Sequence, residues 1–366
     1  MSWFKAWLKK FGHQAPDNIP KVIIPPQKKN PNAEFYKNYF SLIAKGVRLK
    51  LVEAMFSLNL FALFENKTRV SESEIIEKLG LMPVRAKKWL HLLCSEHFLI
   101  KVTGNDYQPS YQLPDEFIEL MRSDRWWGIQ FFFSTWQVGS DEDLTDVLQS
   151  GQVKTSVSWP PQTDDEAWWL EDWMTKTAEQ PVQALLESIN FKKVHHVLDV
   201  GGGDGTMACA FVTAYPHLKA TVYNLPKPAE MARRNIEARE LNHKVRVLEA
   251  DFIKEDAFPT GFDLIVFTRV LFDWDESVDR KLLRMAYQAL PRNGLVAICE
   301  FYKEENNDRC LSAEYRYIFH DDFTPHVMKT AATYRAMLEK IGFTIVRPNT
   351  EGKQAFTYCS VILARK

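Results

Sequence analysis

Residues 195–211, HHVLDVGGGDGTMACAF, decide the fold. The run from Val197 to Val200 is apolar apart from Asp199 and stops at glycines, which reads as a buried strand of a parallel sheet. Gly201, Gly203 and Gly205 then make a G-x-G-x-G turn, and an apolar helix pattern follows. Glycine reaches positive φ without strain and puts no Cβ between the chain and a ligand. The helix starting beyond the turn offers free N–H groups to a carboxylate. Asp199, at the strand end, can organise the loop or take an ammonium, directly or through water. A zwitterionic cofactor suits such a turn. A dinucleotide does not, because its fingerprint needs glycine where Thr206 stands and the pyrophosphate must approach the helix closely.

Outward from this loop, strands are predicted at residues 196–200, 220–224, 244–249, 262–268, 294–300, 344–347 and 356–363. Helices are predicted between them, at 205–214, 228–241, 278–289 and 330–341. Such alternation gives an α/β, Rossmann-like doubly wound sheet with its ligands at the carboxyl ends of the strands. Those ends carry usable side chains. The second strand finishes at Asn224 (YNLP), where a side chain can hold a ribose diol. The third finishes at Asp251 and Phe252, an acid for an adenine amine and a ring to lie against the base. The fourth ends at Thr268, ahead of Arg269–Val270–Leu271–Phe272–Asp273–Trp274, and the fifth at Glu300.

The N-terminal half has a different rhythm. Residues 1–34 read as a short amphipathic helix (MSWFKAWLKKFG) and a Pro/Lys-rich linker. The helix puts Trp3, Phe4, Trp7, Leu8 and Phe11 on one face. That face is short for membrane anchoring, so packing is favoured over membrane contact. Residues 35–115 read as helix, helix, helix and wing: a long apolar pattern over 35–64, a helix capped by Ser71 with Glu74 in the capping box, a third opened by Pro83, and an alternating pair of strands turning at Gly104–Asn105. This winged-helix plan suits packing better than DNA, since Arg85, Lys87 and Lys88 cluster at one end of an otherwise apolar third helix. Residues 116–185 are helical and rich in Trp and Phe, a core or the wall of an apolar pocket. Residues 186–366 form the cofactor domain.

Composition narrows the function. With 46% apolar and 25% charged residues, the 366-residue chain is an ordinary globular protein of about two domains. Lys+Arg 46 against Asp+Glu 47 gives a net charge of -1, which supplies no general pull toward nucleic acid. Five scattered cysteines without a C-x-x-C pair argue against a disulfide framework or zinc site and for a reducing cytoplasm. His320, Asp321, Asp322 and His326 match no established ligand spacing, so no metal is expected.

LDVGGGDG, YNLP, ADF, DWDE and ALPRNG, in this order and spacing, resemble the class I S-adenosylmethionine-dependent methyltransferases of the caffeate and acetylserotonin O-methyltransferase type, with their bacterial carotenoid and bacteriochlorophyll relatives. The resemblance covers nearly the whole chain after the linker. It implies S-adenosyl-L-methionine as cofactor, a small-molecule substrate, and a homodimer formed through the winged-helix domain. It also implies a cofactor set of Asp199, Gly201, Gly203, Asn224, Asp251, Phe252 and Thr268.

The departures concern catalysis. Relatives that methylate oxygen carry a histidine base directly before Asp-Trp; here that position is Phe272. Of the two acids that steer the histidine, one matches Glu300 and the other falls at Met328. The acid that grips the ribose is Asn224. His320, in the segment lining the substrate pocket of relatives, is the candidate replacement base. The expected function is methylation of an apolar aromatic, polyene or tetrapyrrole-like molecule at oxygen or carbon, without the family's histidine. Two alternatives are a non-methylating hydroxylase, decarboxylase or pericyclase that uses the bound cofactor as a charge, and a winged-helix regulator.

Overall fold

The computed structural model describes residues 33–103, 109–123, 126–153, 163–303, 310–311, 314–315, 317–319, 328–347 and 360–366. The N-terminal amphipathic helix and linker, the turn at Gly104–Asn105, Trp159, and the His320–His326 cluster lie outside the described residues. The chain divides between Glu119 and Leu120 into two compact units. From Leu120 onward, the aromatic-rich segment therefore belongs to the same unit as the cofactor domain.

The first unit opens with α1 (Ala33–Ser57) and a 3-10 turn (Leu60–Phe64), followed by β1 (Val70–Ser71), α2 (Glu72–Lys78) and α3 (Pro83–Ser95). Two further strands, β2 (Ile100–Thr103) and β3 (Pro109–Gln112), complete an antiparallel sheet of order β1-β3-β2. The local signals work as expected. Ser71 Oγ accepts from the Glu74 N–H at 3.2 Å, closing the start of α2. Pro83 sits in the first turn of α3, where its missing N–H costs nothing. Ala86, Leu90 and Leu93 form the buried stripe of α3 and pack with a core that includes Met55, Leu60 and Ile75. A helix, α4 (Asp115–Met121), runs across the division between units.

The second unit begins with α5 (Trp126–Ser140), α6 (Leu144–Ser150), α7 (Asp164–Lys176) and α8 (Glu179–Ser188). Then come β4 (His196–Val200), α9 (Thr206–Ala214), β5 (Lys219–Asn224), α10 (Pro226–Ala238), β6 (Val245–Glu249), β7 (Leu264–Thr268), α11 (Glu276–Ala289), β8 (Leu295–Glu300), α12 (Ala331–Ile341), β9 (Thr344–Val346) and β10 (Ser360–Arg365). The sheet order is β6-β5-β4-β7-β8-β10-β9, with β4 to β8 parallel and β10 antiparallel to both its neighbours. It is an α/β fold on a mixed, mostly parallel sheet.

Burial on both faces explains the continuous apolar strands. Leu198 and Val200 join one core with Ile265, Phe267 and Ile298, while Val197 joins the opposite core with Val266, Ala297 and Phe211. Successive residues of a strand point to opposite faces, so one five-residue strand feeds both cores. The order turns round between β4 and β7: β5 lies on one side of β4 and β7 on the other. This reversal opens a crevice at the carboxyl ends of the strands.

Candidate functional site

Four of the expected cofactor residues cluster where β4 and β5 end. Gly201, Gly203 and Gly205 all have positive φ, at 67°, 54° and 80°. The Gly201 N–H continues the β4–β5 ladder by donating to Tyr223 O at 2.8 Å, and Gly203 N–H closes back on Gly201 O at 2.8 Å. The glycines are needed for space as well as for torsion. A Cβ on Gly202 would stand 2.6 Å from Asp199 Oδ2, and one on Gly203 would stand 2.5 Å from Glu171 Oε2. The loop is walled by two carboxylates.

Asp199 is fully buried, and neither of its carboxylate oxygens has a hydrogen-bond partner among the described residues. Burial, reinforced by the neighbouring Asp204 charge, pushes it up to about 7. A buried acid left open at the edge of a glycine turn fits the aminium end of the expected cofactor. Asp204 behaves differently. Its carboxylate accepts from Thr206 N and Oγ1 at 3.0 Å each, from Thr175 Oγ1 at 2.8 Å and from Asn235 Nδ2 at 3.1 Å. It ties the start of α9 to α7 and α10.

The remaining cofactor candidates are placed with uneven freedom. Asn224 donates from Nδ2 to Gly203 O at 3.3 Å and accepts the Leu225 N–H at 2.9 Å, so it braces the loop it was expected to assist. Asp251 accepts from Ile253 N–H at 3.1 Å and pairs with Lys254 at 2.8 Å. Phe252 is buried, its ring edge-on to Trp274 at 6.2 Å. Thr268 is buried at the end of β7, with no hydrogen-bond partner for its Oγ1 among the described residues.

The turn after β7 is built to a different plan. Arg269 has a left-handed φ of 55°, uncommon for a residue with a Cβ. Its guanidinium donates to Thr177 Oγ1 at 2.6 Å and Met174 O at 2.8 Å, which fastens the end of α7 to the turn. Glu300 Oε1 accepts the N–H groups of Val270 and Leu271 at 2.8 and 2.9 Å. Lys329, also buried, donates to Leu271 O at 3.1 Å and to Trp274 O, and pairs with Asp279 at 3.1 Å. Burial pushes Asp279 up to about 7 against the opposing pull of Lys329. Phe272 sits half-buried in this braced turn, and Met328 is buried beside Lys329 in sequence. Glu300, expected as a steering acid, holds backbone through Oε1. His320 lies outside the described residues.

Sequence reasoning missed Glu171, Asp204 and Lys329. For Glu171 a signal existed. Ala167 and Glu171 are buried one helical turn apart, so a carboxylate stands on the inner stripe of α7, where charge is rarely found without a purpose. The aromatic segment was read for its rings alone. Some of these rings pack on each other: Trp136 lies 5.4 Å from Tyr315, which meets Phe319 edge-on at 5.2 Å.

Comparison with known proteins bears on the family and the fold. The model of the O-methyltransferase domain family matches residues 159–344. The L-tyrosine C(3)-methyltransferase of Streptomyces lavendulae is 28% identical over 315 residues, spanning 80% of this chain and 82% of that one. The 3-hydroxy-5-methyl-1-naphthoate 3-O-methyltransferase of Streptomyces sahachiroi is 34% identical over 150 residues, spanning 40% of this chain and less than half, 42%, of that relative. A solved structure of the mitomycin 7-O-methyltransferase superposes with a TM-score of 0.70 at 18% identity, over 92% of this chain and 98% of that one, and so shares its fold.

Proposed function

The chain belongs to the O-methyltransferase domain family and is an S-adenosylmethionine-dependent methyltransferase, and on that premise we propose that it methylates a flat, apolar small molecule at a position that needs no side-chain base. Aromatic, polyene and tetrapyrrole-like molecules share this chemistry. The observation that carries the proposal is the turn after β7: Phe272, which cannot take a proton, stands where the resemblance implies a base, and Glu300 Oε1 accepts two backbone N–H groups. A nucleophilic carbon, or an oxygen already acidic, is the acceptor that such a turn serves. The relative aligned over most of the chain is named for transfer to carbon, which supports that reading over use of the cofactor as a charge alone.

Asp199, Gly201 and Gly203 would hold the methionine end of the cofactor, Asn224 the ribose, and Asp251, Phe252 and Thr268 the base and its surroundings. Bound there, the cofactor supplies an electrophilic methyl group on a sulfonium whose departure needs no further activation. The chain's share is placement, since holding a nucleophile near attack distance supplies much of the rate of such a displacement. Glu300 and Lys329 fix the turn that carries Phe272, and the rings around Trp136 offer an apolar face to a flat substrate.

Calorimetry with S-adenosylmethionine tests the cofactor half: the wild type binds, and Gly203→Leu, strained at φ 54° and colliding with Glu171, does not. A wild type that fails to bind ends the reading. During turnover the demethylated cofactor should accumulate in step with substrate loss; consumption without it would favour the non-methylating alternative. His320→Ala checks the remaining base candidate, which would lose turnover while keeping cofactor affinity if the histidine takes the proton.

The first unit is read as a winged-helix dimerisation domain. The support is an apolar face on α1, where Tyr39, Phe40, Leu42, Ile43 and Val47 are 45 to 69% exposed. A patch of that kind marks an interaction surface, and a second copy of the chain is the partner proposed. Phe40→Glu with Leu42→Glu should shift the light-scattering mass from dimer to monomer; an unchanged mass removes this surface from the interface. Among the described residues no helix is long and apolar enough to cross a membrane.

A further inference from the structure

Glu171 belongs to no sequence motif, yet it reaches from α7 to the barest part of the glycine loop. It is 6% exposed, and its Oε2 has no hydrogen-bond partner among the described residues. The same oxygen stands 2.5 Å from the place a Cβ on Gly203 would occupy, so the carboxylate lies directly against the loop backbone. On its other side the loop meets Asp199, whose two oxygens are equally open and 2.6 Å or more from the corresponding place on Gly202. Two buried carboxylates thus flank two successive glycines.

Neither acid is explained by the architecture. Asp204, the third acid of the loop, is filled by donors from α7, α9 and α10 and already does the structural work. Arg269, the cation that acts on Glu171, donates to Thr177 and Met174. The backbone N–H of Asp204 supplies one hydrogen bond to Glu171. Burial and the Asp204 charge push Glu171 up to about 7. Leaving a buried acid unsatisfied is costly unless a ligand completes it.

We propose that Glu171 is a cofactor-binding residue: with Asp199 it forms a two-carboxylate clamp on the α-ammonium of the cofactor's methionine end. An ammonium brings three donors and one positive charge, which one acid and a backbone carbonyl would satisfy only in part. The inference rests on the cofactor reading above.

The test compares the demethylated cofactor, S-adenosylhomocysteine, with its analogue lacking the α-amino group, by calorimetry on wild type and E171Q. The wild type should prefer the amino compound. E171Q should bind it more weakly by about tenfold to a hundredfold, the scale of a hydrogen bond to a charged group, while its affinity for the deaminated analogue stays within about twofold. E171M, apolar and of similar length, replaces E171Q if the amide does not fold. A variant that matches the wild type on both ligands overturns the clamp, as does one that loses both equally, which would mark a structural role. If the wild type binds neither ligand, the cofactor reading itself falls; if it binds both alike, only the clamp does.

Discussion

The glycine loop after β4 and the turn after β7 lie at the same edge of one sheet and both carry buried acids, but they use them in opposite ways. At the loop, Asp199 and Glu171 keep oxygens without partners among the described residues. At the turn, Glu300 holds two N–H groups, and Lys329 holds two carbonyls together with Asp279. Among the described residues Asp199 accepts no hydrogen bond, whereas Glu300 Oε1 accepts two and Asp279 faces a buried lysine. On the function proposed, the loop is the binding half of the site and the turn around Phe272 is its scaffold.

Breaking the scaffold should give the largest effect. Lys329→Met leaves Asp279 buried without its counter-charge and frees the carbonyls of Leu271 and Trp274, so chemical unfolding should show a loss of about 3–5 kcal/mol. A loss under about 1 kcal/mol would mean that the turn is held by packing alone. Asp199→Asn should do the reverse. It removes an unpaired buried acid, so stability of the empty protein should hold or rise, while affinity for S-adenosylhomocysteine falls by about tenfold or more. If Asp199→Asn unfolds the protein instead, the contrast between loop and turn fails.

The comparison also has a pH signature. Asp199 and Glu171 are both pushed up to about 7, from ordinary values of 3.8 and 4.5. An acid whose folded value is raised contributes stability that is full below its unfolded value and is lost as pH rises through the folded one. The melting temperature of the ligand-free protein should therefore fall between about pH 4 and 7. The increment given by saturating S-adenosylhomocysteine should grow over the same window, because the ligand's ammonium favours the ionised acids. An increment that shrinks with pH would sink the clamp's electrostatics. The smallest effect is expected at Phe272→His, where methyl transfer should change by less than about threefold, since a lone imidazole there has no steering acid. A gain of tenfold or more would show that the substrate had lacked a base after all.

Much of the fold was legible because its signals are local. The strand expected at 196–200 is β4 residue for residue, and the helices expected at 205–214 and 330–341 begin one residue late, after Gly205 and Thr330. Alternating apolar strands and capping residues act over a few positions, so the sequence displays them directly. The site was less legible. Asn224, expected to face a ribose, also donates to Gly203 O, and Glu300, expected to steer a base, also accepts the N–H groups of Val270 and Leu271. Each outcome depends on which distant strand end lies next to it.

The sequence by itself determined the mostly parallel sheet and the glycine turn, because each follows from residue type and spacing along a few turns of chain. Tertiary structure decided which acids stay open. Asp199 and Asp204 sit five residues apart in one loop with the same side chain, yet donors from α7 and α10 reach only Asp204. A carboxylate's role is set by the donors that folding brings within about 3 Å of it, and those come from remote parts of the chain.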